Sequence, residues 1–359
     1  MGIFPCRMAP VATDFERAST MKARMKLSRR EMIRDVALGF AIVASARRPV
    51  LGQRYRSEDF LRKRWTVGFS NASLTNTWRV ALREAIVEAI ASSGNIKLLT
   101  SDANDSPAKQ VADLEDLLAR AVDGLIIGAT TIDVASSILE QCAAEGVPTV
   151  IVDRKVASNR YTTFVSSDNR GMAAKGLGKL LELVGGRGKI AVVQGIPGAG
   201  PAVERNLAYD ALLKAHPGVR AVRQAGDWSR ASGQRVTENI LTANPDLNGI
   251  HFDGGEMAVG GIQALRAAGL SDETIRAGRP FLTWLDGYNG GLKMIKAGLG
   301  KFTVLHPPRL HGRESVTALI RIFKGESVPK SILLPAEEIS SHNVDKHVAL
   351  DKPDDYWVN

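Results

Sequence analysis

The sequence predicts an α/β fold of two doubly wound parallel-sheet lobes joined by a hinge of three segments. Three observations predict it. From Trp65 onward, short apolar runs alternate with amphipathic stretches of helical period, the rhythm of parallel strands joined by right-handed crossovers. That rhythm runs once to Ser167 and restarts at Asp168, so there are two series and two lobes. Proline then interrupts the chain at Pro307-Pro308, after a late apolar run. The chain is expected to cross between lobes near Ser167-Asn169, near Pro307-Pro308 and near Leu334-Ala336. The first lobe would comprise residues 65–167 plus 308–333, the second 168–306 plus 334–345, with 346–359 as a tail. About 295 residues follow Arg64, more than one core usually serves.

The elements follow in order. WTVGFS (65–70) reads as a strand. Trp78 to Ser92 reads as a helix with Val80, Ala81, Ile86, Val87 and Ile90 as its apolar stripe. IKLLTS (96–101) is a strand and Pro107 to Ala121 a helix with proline in its first turn. GLIIGA (124–129) is a strand, Asp133 to Ala144 a helix, and VPTVIVD (147–153) and TTFVSSD (162–168) are extended. In the second series the helices are Asn169–Val184, Val203–His216, Arg230–Ala243, Met257–Ala268 and Tyr288–Ala297. Its strands are GKIAVVQG (188–195), VRAVRQAG (219–226), LNGIHFD (247–253), FLTWLD (281–286) and KFTVLH (301–306). Arg309 to Lys324 is a last helix and SILLPAEEI (331–339) a final strand.

The amino-terminal region predicts export. Residues 28–46, SRREMIRDVALGFAIVASA, place Arg29-Arg30 before a short apolar run and end it in Ala44-Ser45-Ala46, the small-x-small form that signal peptidases cut. The run is too short to span a bilayer, which takes roughly 20 residues. Residues 1–52 are therefore an extension and a twin-arginine-like signal peptide, cut near Ala46 or Gly52, and the mature protein is periplasmic. Residues 1–64 hold 15 Lys+Arg against 6 Asp+Glu, which accounts for the whole net charge of +9. The folded part, residues 65–359, is neutral, which removes the main support for nucleic acid as a partner. Cys6 precedes the leader, and Cys142 sits alone in a helical pattern as a small apolar packing residue.

In open parallel sheets ligands sit beyond the carboxyl ends of the strands. The polar and aromatic residues that follow the apolar runs are Asn76, Trp78 and Arg79, Asp153-Arg154, Asp168-Asn169, Arg205, Trp228, Asp253, Asp286 and His306. Flat indoles suit the C–H faces of a sugar ring, and carboxylates with guanidinium forks suit hydroxyls that both donate and accept. Trp284 lies mid-strand and reads as core, His251 as a strand residue, and GIPGAG (195–200) as a turn without the P-loop Lys-Ser/Thr.

Six segments carry a resemblance: VGFSNASLTNTWR, DANDSPAKQVADLEDLLARAVDGLII, VPTVIVDRKV, FVSSDNRGMAAKGLG, AVVQGIPGAGPAVERNLAY and GGEMAVGGIQALRAAG. In that order and spacing they resemble the periplasmic sugar-binding proteins of the ribose/galactose type, the receptors of ABC importers. The resemblance implies the type I periplasmic-binding-protein clamshell over residues 65–340. It also implies ligand contacts. Asn76 would hydrogen-bond the sugar, while Trp78 and Trp228 stack on it. Arg79, the Asp153-Arg154 pair, Arg205, Asp286 and His306, which stands where the family often has glutamine, would complete the set. No catalytic residue, metal or cofactor is implied. The partners would be a sugar or polyol and an inner-membrane ABC permease, with the receptor a monomer.

Two departures stand out. Gly128 replaces an asparagine after the third strand, and Gly254-Gly255 replace an asparagine at the start of a second-lobe helix. Both swaps are expected to remove hydroxyl partners and open space. Asp253 would take over a contact or cap the helix beginning near Gly255. Neither a nucleophile elbow nor an HExxH helix occurs, which argues against an enzyme. A sugar-responsive repressor would need a helix-turn-helix before residue 65, and the apolar leader there has no turn. A chemoreceptor or sensor kinase is the alternative partner, since it too reads closed lobes.

Overall fold

The structure is a computed structural model that describes residues 57–358. The predicted leader and its cleavage site lie outside the described residues. A short helix α1 (Ser57–Arg62) precedes two six-stranded sheets, each covered by helices on both faces. Among the described residues no helix is long and apolar enough to cross a membrane.

The first sheet has the order β11-β5-β4-β3-β1-β2 and is parallel throughout. Its strands are β1 (Trp65–Asn71), β2 (Ile96–Asp102), β3 (Gly124–Ile127), β4 (Thr149–Val152), β5 (Thr163–Ser167) and β11 (Ser331–Leu334). β3 and β4 are buried at every residue, as strands covered on both faces must be. Helices α2 (Thr77–Ala91), α3 (Pro107–Ala119) and α4 (Ser136–Glu145) connect them. Cys142 is a free, fully buried thiol among Leu139, Ile138 and Ile151, and burial pushes its pKa up to about 12.

The second sheet has the order β12-β10-β9-β8-β6-β7, with β12 (Glu338–Ile339) antiparallel to β10 (Phe302–Val304) and the rest parallel. β6 (Gly188–Gln194), β7 (Val219–Ala225), β8 (Gly249–Phe252) and β9 (Phe281–Leu285) alternate with α5 (Asn169–Leu183), α6 (Gly200–Ala215), α7 (Arg230–Ala243), α8 (Gly255–Ala267), α9 (Asp272–Arg276) and α10 (Asn289–Lys296). The period of two is visible in β6. Ile190 and Val192 face Leu177, Leu180 and Tyr209, while Ala191 and Val193 face the opposite core with Phe252, Ile262 and Trp284.

The chain passes between the sheets three times. After β5 it enters α5, whose start is capped by Asp168 accepting from Gly171 N–H at 2.9 Å. After β10 it returns through Leu305–Pro307 into α11 (Pro308–Phe323), whose Val316, Leu319 and Phe323 fill the first core beside Trp65 and Ile86. After β11 it crosses again to β12. The apolar run 331–339 is therefore two strands in different sheets, not one, because Pro335 cannot donate to a ladder.

Other expectations shift in detail. On α2 the buried face is Ala81, Leu82, Ala85, Ile86 and Ile90, whereas Val80 is half-buried and Val87 exposed. The expected helix from Asp133 begins only at Ser136, and the one from Val203 begins at Gly200. Helix α9, capped by Ser271, adds a turn that the apolar pattern does not announce.

Candidate ligand-binding cleft

The carboxyl ends of both sheets face each other across a cavity of about 410 Å³. All nine residues to which the resemblance assigns ligand contacts, Asn76, Trp78, Arg79, Asp153, Arg154, Arg205, Trp228, Asp286 and His306, stand on its wall, as does Asp253; Asp168 and Asn169, also singled out at a strand end, do not line it. What each does there is more specific than a hydrogen-bonding group aimed at a ligand.

On the first-lobe wall, Asn76 is the N-cap of α2. Its Oδ1 accepts from Arg79 N–H at 3.3 Å, which orients the first turn toward the cavity. The cap directs Arg79 inward, where its Nη2 donates to Asp153 Oδ2 at 2.5 Å with both side chains buried. Burial opposes ionisation of Asp153. Arg79, assisted by His306, overrides it and holds the carboxyl well below the usual carboxylate range. Asp153 is thus paired with Arg79, not with its neighbour Arg154. Arg154 donates instead to the Thr130 carbonyl at 2.8 Å, and burial together with nearby Arg79 pulls it down to about 10.

Trp78 does not offer a free face as expected. Its ring stacks on His306 with centroids 4.9 Å apart, meets His311 edge-on, and donates from Nε1 to the His306 carbonyl at 2.9 Å. It is a hinge-packing residue whose remaining surface reaches the cavity. His306 lies 3.4 Å from Asp153, and burial lowers its pKa although Asp153 pulls the other way.

On the second-lobe wall, Arg205 donates from Nε to Asn169 Oδ1 at 3.1 Å and from Nη1 to the Asp253 carbonyl at 2.9 Å. The Asp253 carboxylate takes the Tyr209 hydroxyl and Gly195 N–H, so it does not cap α8. That task falls to Asp286, which accepts from Gly255 N–H at 2.9 Å and from Tyr288 N–H at 3.0 Å. Burial raises its pKa to about 7. Trp228 stands opposite Arg154, whose guanidinium carbon is 5.7 Å from the indole centroid.

The glycines do not open space. A Cβ at Gly128 would lie 3.1 Å from Arg79 Nη1, so the guanidinium already occupies the room that an asparagine would need. At Gly254 a Cβ would meet Asp286 and Trp228 at 3.2 and 3.3 Å, and at Gly255 it would lie 2.7 Å from Asp286 Oδ1. At Gly195 a Cβ would overlap the Trp228 ring. The glycines are there because larger cleft side chains lie over them.

Two further signals converge on this cavity. Of the six non-glycine residues with positive φ among the described residues, four line it: Asp105, Asp153, Trp228 and Asp286. Such conformations cost about 1–3 kcal/mol each and persist where surrounding structure imposes them. Three cavity residues also carry a buried polar atom without a hydrogen-bond partner in the protein, Arg79 Nη1, Arg154 Nε and Trp228 Nε1, while Asp153 Oδ1 and His306 Nε2 meet only each other, at 3.4 Å.

Comparison with known proteins fits this geometry. The family model described as periplasmic binding protein domain matches residues 67–327. The chain belongs to this family. It is 30% identical over 274 residues to the ribose import binding protein RbsB of Bacillus subtilis (strain 168), covering 76% of this chain and 87% of that relative. It is 26% identical, with a TM-score of 0.72, to the periplasmic binding protein of the arabinose ABC transporter from Shewanella sp. ANA-3, solved with α- and β-L-arabinofuranose, covering 78% of this chain and 93% of that one. A solute-binding protein of Bacillus halodurans C-125, with bound myo-inositol, shares the fold at 24% identity and a TM-score of 0.73, over 79% and 97% of the two chains.

The cavity also contains residues that the sequence pattern did not bring forward, among them Ser73, Thr75, Asp105, Ile196, Pro201, Glu256 and Trp357. Asp105 and Glu256 each follow a strand end, so the same rule could have found them. Trp357 had no such signal.

Proposed function

We propose that this protein is the substrate-binding component of an ABC importer that captures a sugar or sugar-like polyol between its lobes. The observation that carries this reading is the set of unpartnered polar atoms on Arg79, Arg154 and Trp228 around one cavity, beside Asp153 Oδ1 and His306 Nε2, which have only a long contact with each other. Four of these side chains are themselves buried. Each group left without a partner costs about 1–3 kcal/mol. A polyhydroxylated ring has hydroxyls that accept from Arg79, Arg154 and Trp228 and donate to Asp153, so one ligand type can serve both signs of partner. Arg205 and Asp286 face the same volume with bonding capacity to spare, and the exposed part of Trp228 supplies the apolar face. The sugars named for its relatives, ribose and arabinofuranose, belong to this chemical class. The nine residues assigned ligand contacts are accounted for as hydrogen-bond or packing partners, and we read the site as binding rather than reacting. We further read residues 28–46 as a twin-arginine-like leader, and the mature protein as periplasmic and monomeric.

A thermal-shift screen against pentoses, hexoses in both ring sizes, and polyols tests the reading. A ligand at 100 times its Kd should add about 2.7 kcal/mol of stability. A flat response across the panel would overturn it. Amino-terminal sequencing of the secreted form should begin between Arg47 and Arg54, and an intact leader on the mature protein would refute the export reading.

A further inference from the structure

The carboxy-terminal tail lies beyond the residues matched by the family model, which end at 327, yet it reaches into the cleft. Its course is fixed by one side chain. The Asn289 amide donates to the carbonyls of Ala349 and Pro353 at 2.8 and 2.9 Å and accepts from Ala349 N–H at 3.0 Å. Backbone bonds from Asn289 N–H to Tyr356 and from Gly290 N–H to Asp354 continue the attachment, and Trp357 forms a bridge with Tyr288. The tail is thereby fastened to the second lobe.

From that anchorage Trp357 crosses to the first lobe. Its Nε1 donates to Thr77 Oγ1 at 2.9 Å, and the Thr77 hydroxyl donates onward to Glu256 in the first turn of α8. Thr77 is the first residue of α2, between the cap Asn76 and Trp78. Two second-lobe residues therefore grip one first-lobe hydroxyl, in a chain where each bond polarises the next. Trp357 is only 3% exposed, packs edge-on against Tyr288 with centroids 5.5 Å apart, and shares an apolar cluster with Trp78. It lines the same cavity.

We propose that the carboxy-terminal tail is a working part of the binding site, delivering Trp357 as a wall of the cleft and latching the two lobes together through Thr77. Such a wall favours a ligand of monosaccharide size that the closed cleft can surround. The wall rests on the sugar-binding reading above; the latch does not.

The test separates the two. Spin labels at the exposed positions 87 and 207, one on each lobe, report the interlobe distance by pulsed electron resonance. The full-length protein with Cys6 replaced by serine serves as background, since the Cys142 thiol is fully buried. Without sugar, Trp357→Phe and Thr77→Val should each add a longer-distance population, and Thr77→Ser should restore the original distribution. Identical distributions in all of these proteins would overturn the proposal. With D-ribose, L-arabinose and myo-inositol as probes, dissociation of whichever binds should quicken by about two- to tenfold in Trp357→Phe, the range expected for one lost hydrogen bond, and more in Trp357→Ala. Dissociation unchanged in both variants would remove the wall. A panel to which the unmodified protein is blind, with the distance shift intact, would sink the sugar reading and leave the latch standing.

Discussion

On the first-lobe wall Asp153 lies 2.5 Å from a guanidinium that keeps it ionised. On the second-lobe wall Asp286, equally at a strand end and equally in a left-handed backbone conformation, spends both oxygens on backbone N–H groups and titrates near neutrality. Two homologous places in two similar sheets thus hold the same residue type in opposite electrostatic states. What differs is the neighbour. Asn76 caps α2 so that Arg79 points into the cleft, whereas the nearest second-lobe cation, Arg205, is turned toward Asn169 and the Asp253 carbonyl. One wall presents fixed charge and the other a carboxyl that pH can change.

The strongest way to break this contrast is Arg79→Met. It leaves Asp153 buried without its cation, and loss of one partner from a buried pair costs about 3–5 kcal/mol. Asp286→Asn loses at most one acceptor for a backbone N–H, about 1–3 kcal/mol. Urea unfolding compares the two, and equal losses would dissolve the distinction. Adding Asp153→Asn to Arg79→Met should recover part of the stability.

Next in size is the pH dependence. A carboxyl raised from 3.8 to about 7 on folding binds more protons in the native than in the unfolded state across that window. The stability contribution of Asp286 is therefore fully present below about pH 4 and declines as pH rises toward 7, with a slope of up to about 1.4 kcal/mol per pH unit. Asp153 has the opposite sign. Its pKa is depressed, so its contribution holds above 3.8 and is lost only on strong acidification. Unfolding measured from pH 4 to 7 should show a downward slope in the unmodified protein that flattens in Asp286→Asn. A slope unchanged by that substitution would mean that Asp286 is not the titrating group.

The smallest effects come from the two indoles. Trp78→Phe keeps a ring against His306 but loses the bond to its carbonyl, and should lower stability by about 0.5–1.5 kcal/mol. Trp228→Phe removes an N–H with no partner in the protein. It should leave the melting temperature nearly unchanged while weakening sugar binding by about two- to tenfold, as measured calorimetrically. If Trp228→Phe destabilised the protein as much as Trp78→Phe, the reading of one as hinge packing and the other as ligand contact would fail.

The fold was legible because strands buried on both faces, such as GLII and TVIV, cannot be anything but short apolar runs, and the helices between them keep their period. The places where the reading slipped are those where tertiary contact decides. Val87 fits an apolar stripe yet faces solvent, since α11 covers the Leu82–Ile86 side of α2. In the cleft, the rule that ligand groups follow strand ends gives twelve candidates, ten of which line the wall, but it says nothing of who pairs with whom. Arg79 and Asp153 are 74 positions apart, and nothing in either local pattern couples them. The glycines were misread for the same reason. Gly128 reads as opened space, and the guanidinium that fills its place comes from Arg79 in the first turn of α2. Trp357 was invisible because a loop-borne residue 280 positions from Thr77 carries no periodic signal.

The three passages of the chain between sheets have a consequence for synthesis. When residues 65–167 have left the ribosome, five strands of the first sheet exist, but Phe323, which stacks on Trp65 at 4.1 Å, and the edge strand β11 do not. The second lobe in turn waits for β12 and for the tail that Asn289 holds. Neither lobe is a continuous stretch of chain, so neither can reach its final packing early and wait for the other. The nascent protein must carry an open apolar core until its last residues emerge, which makes slow, late folding a property of the topology itself.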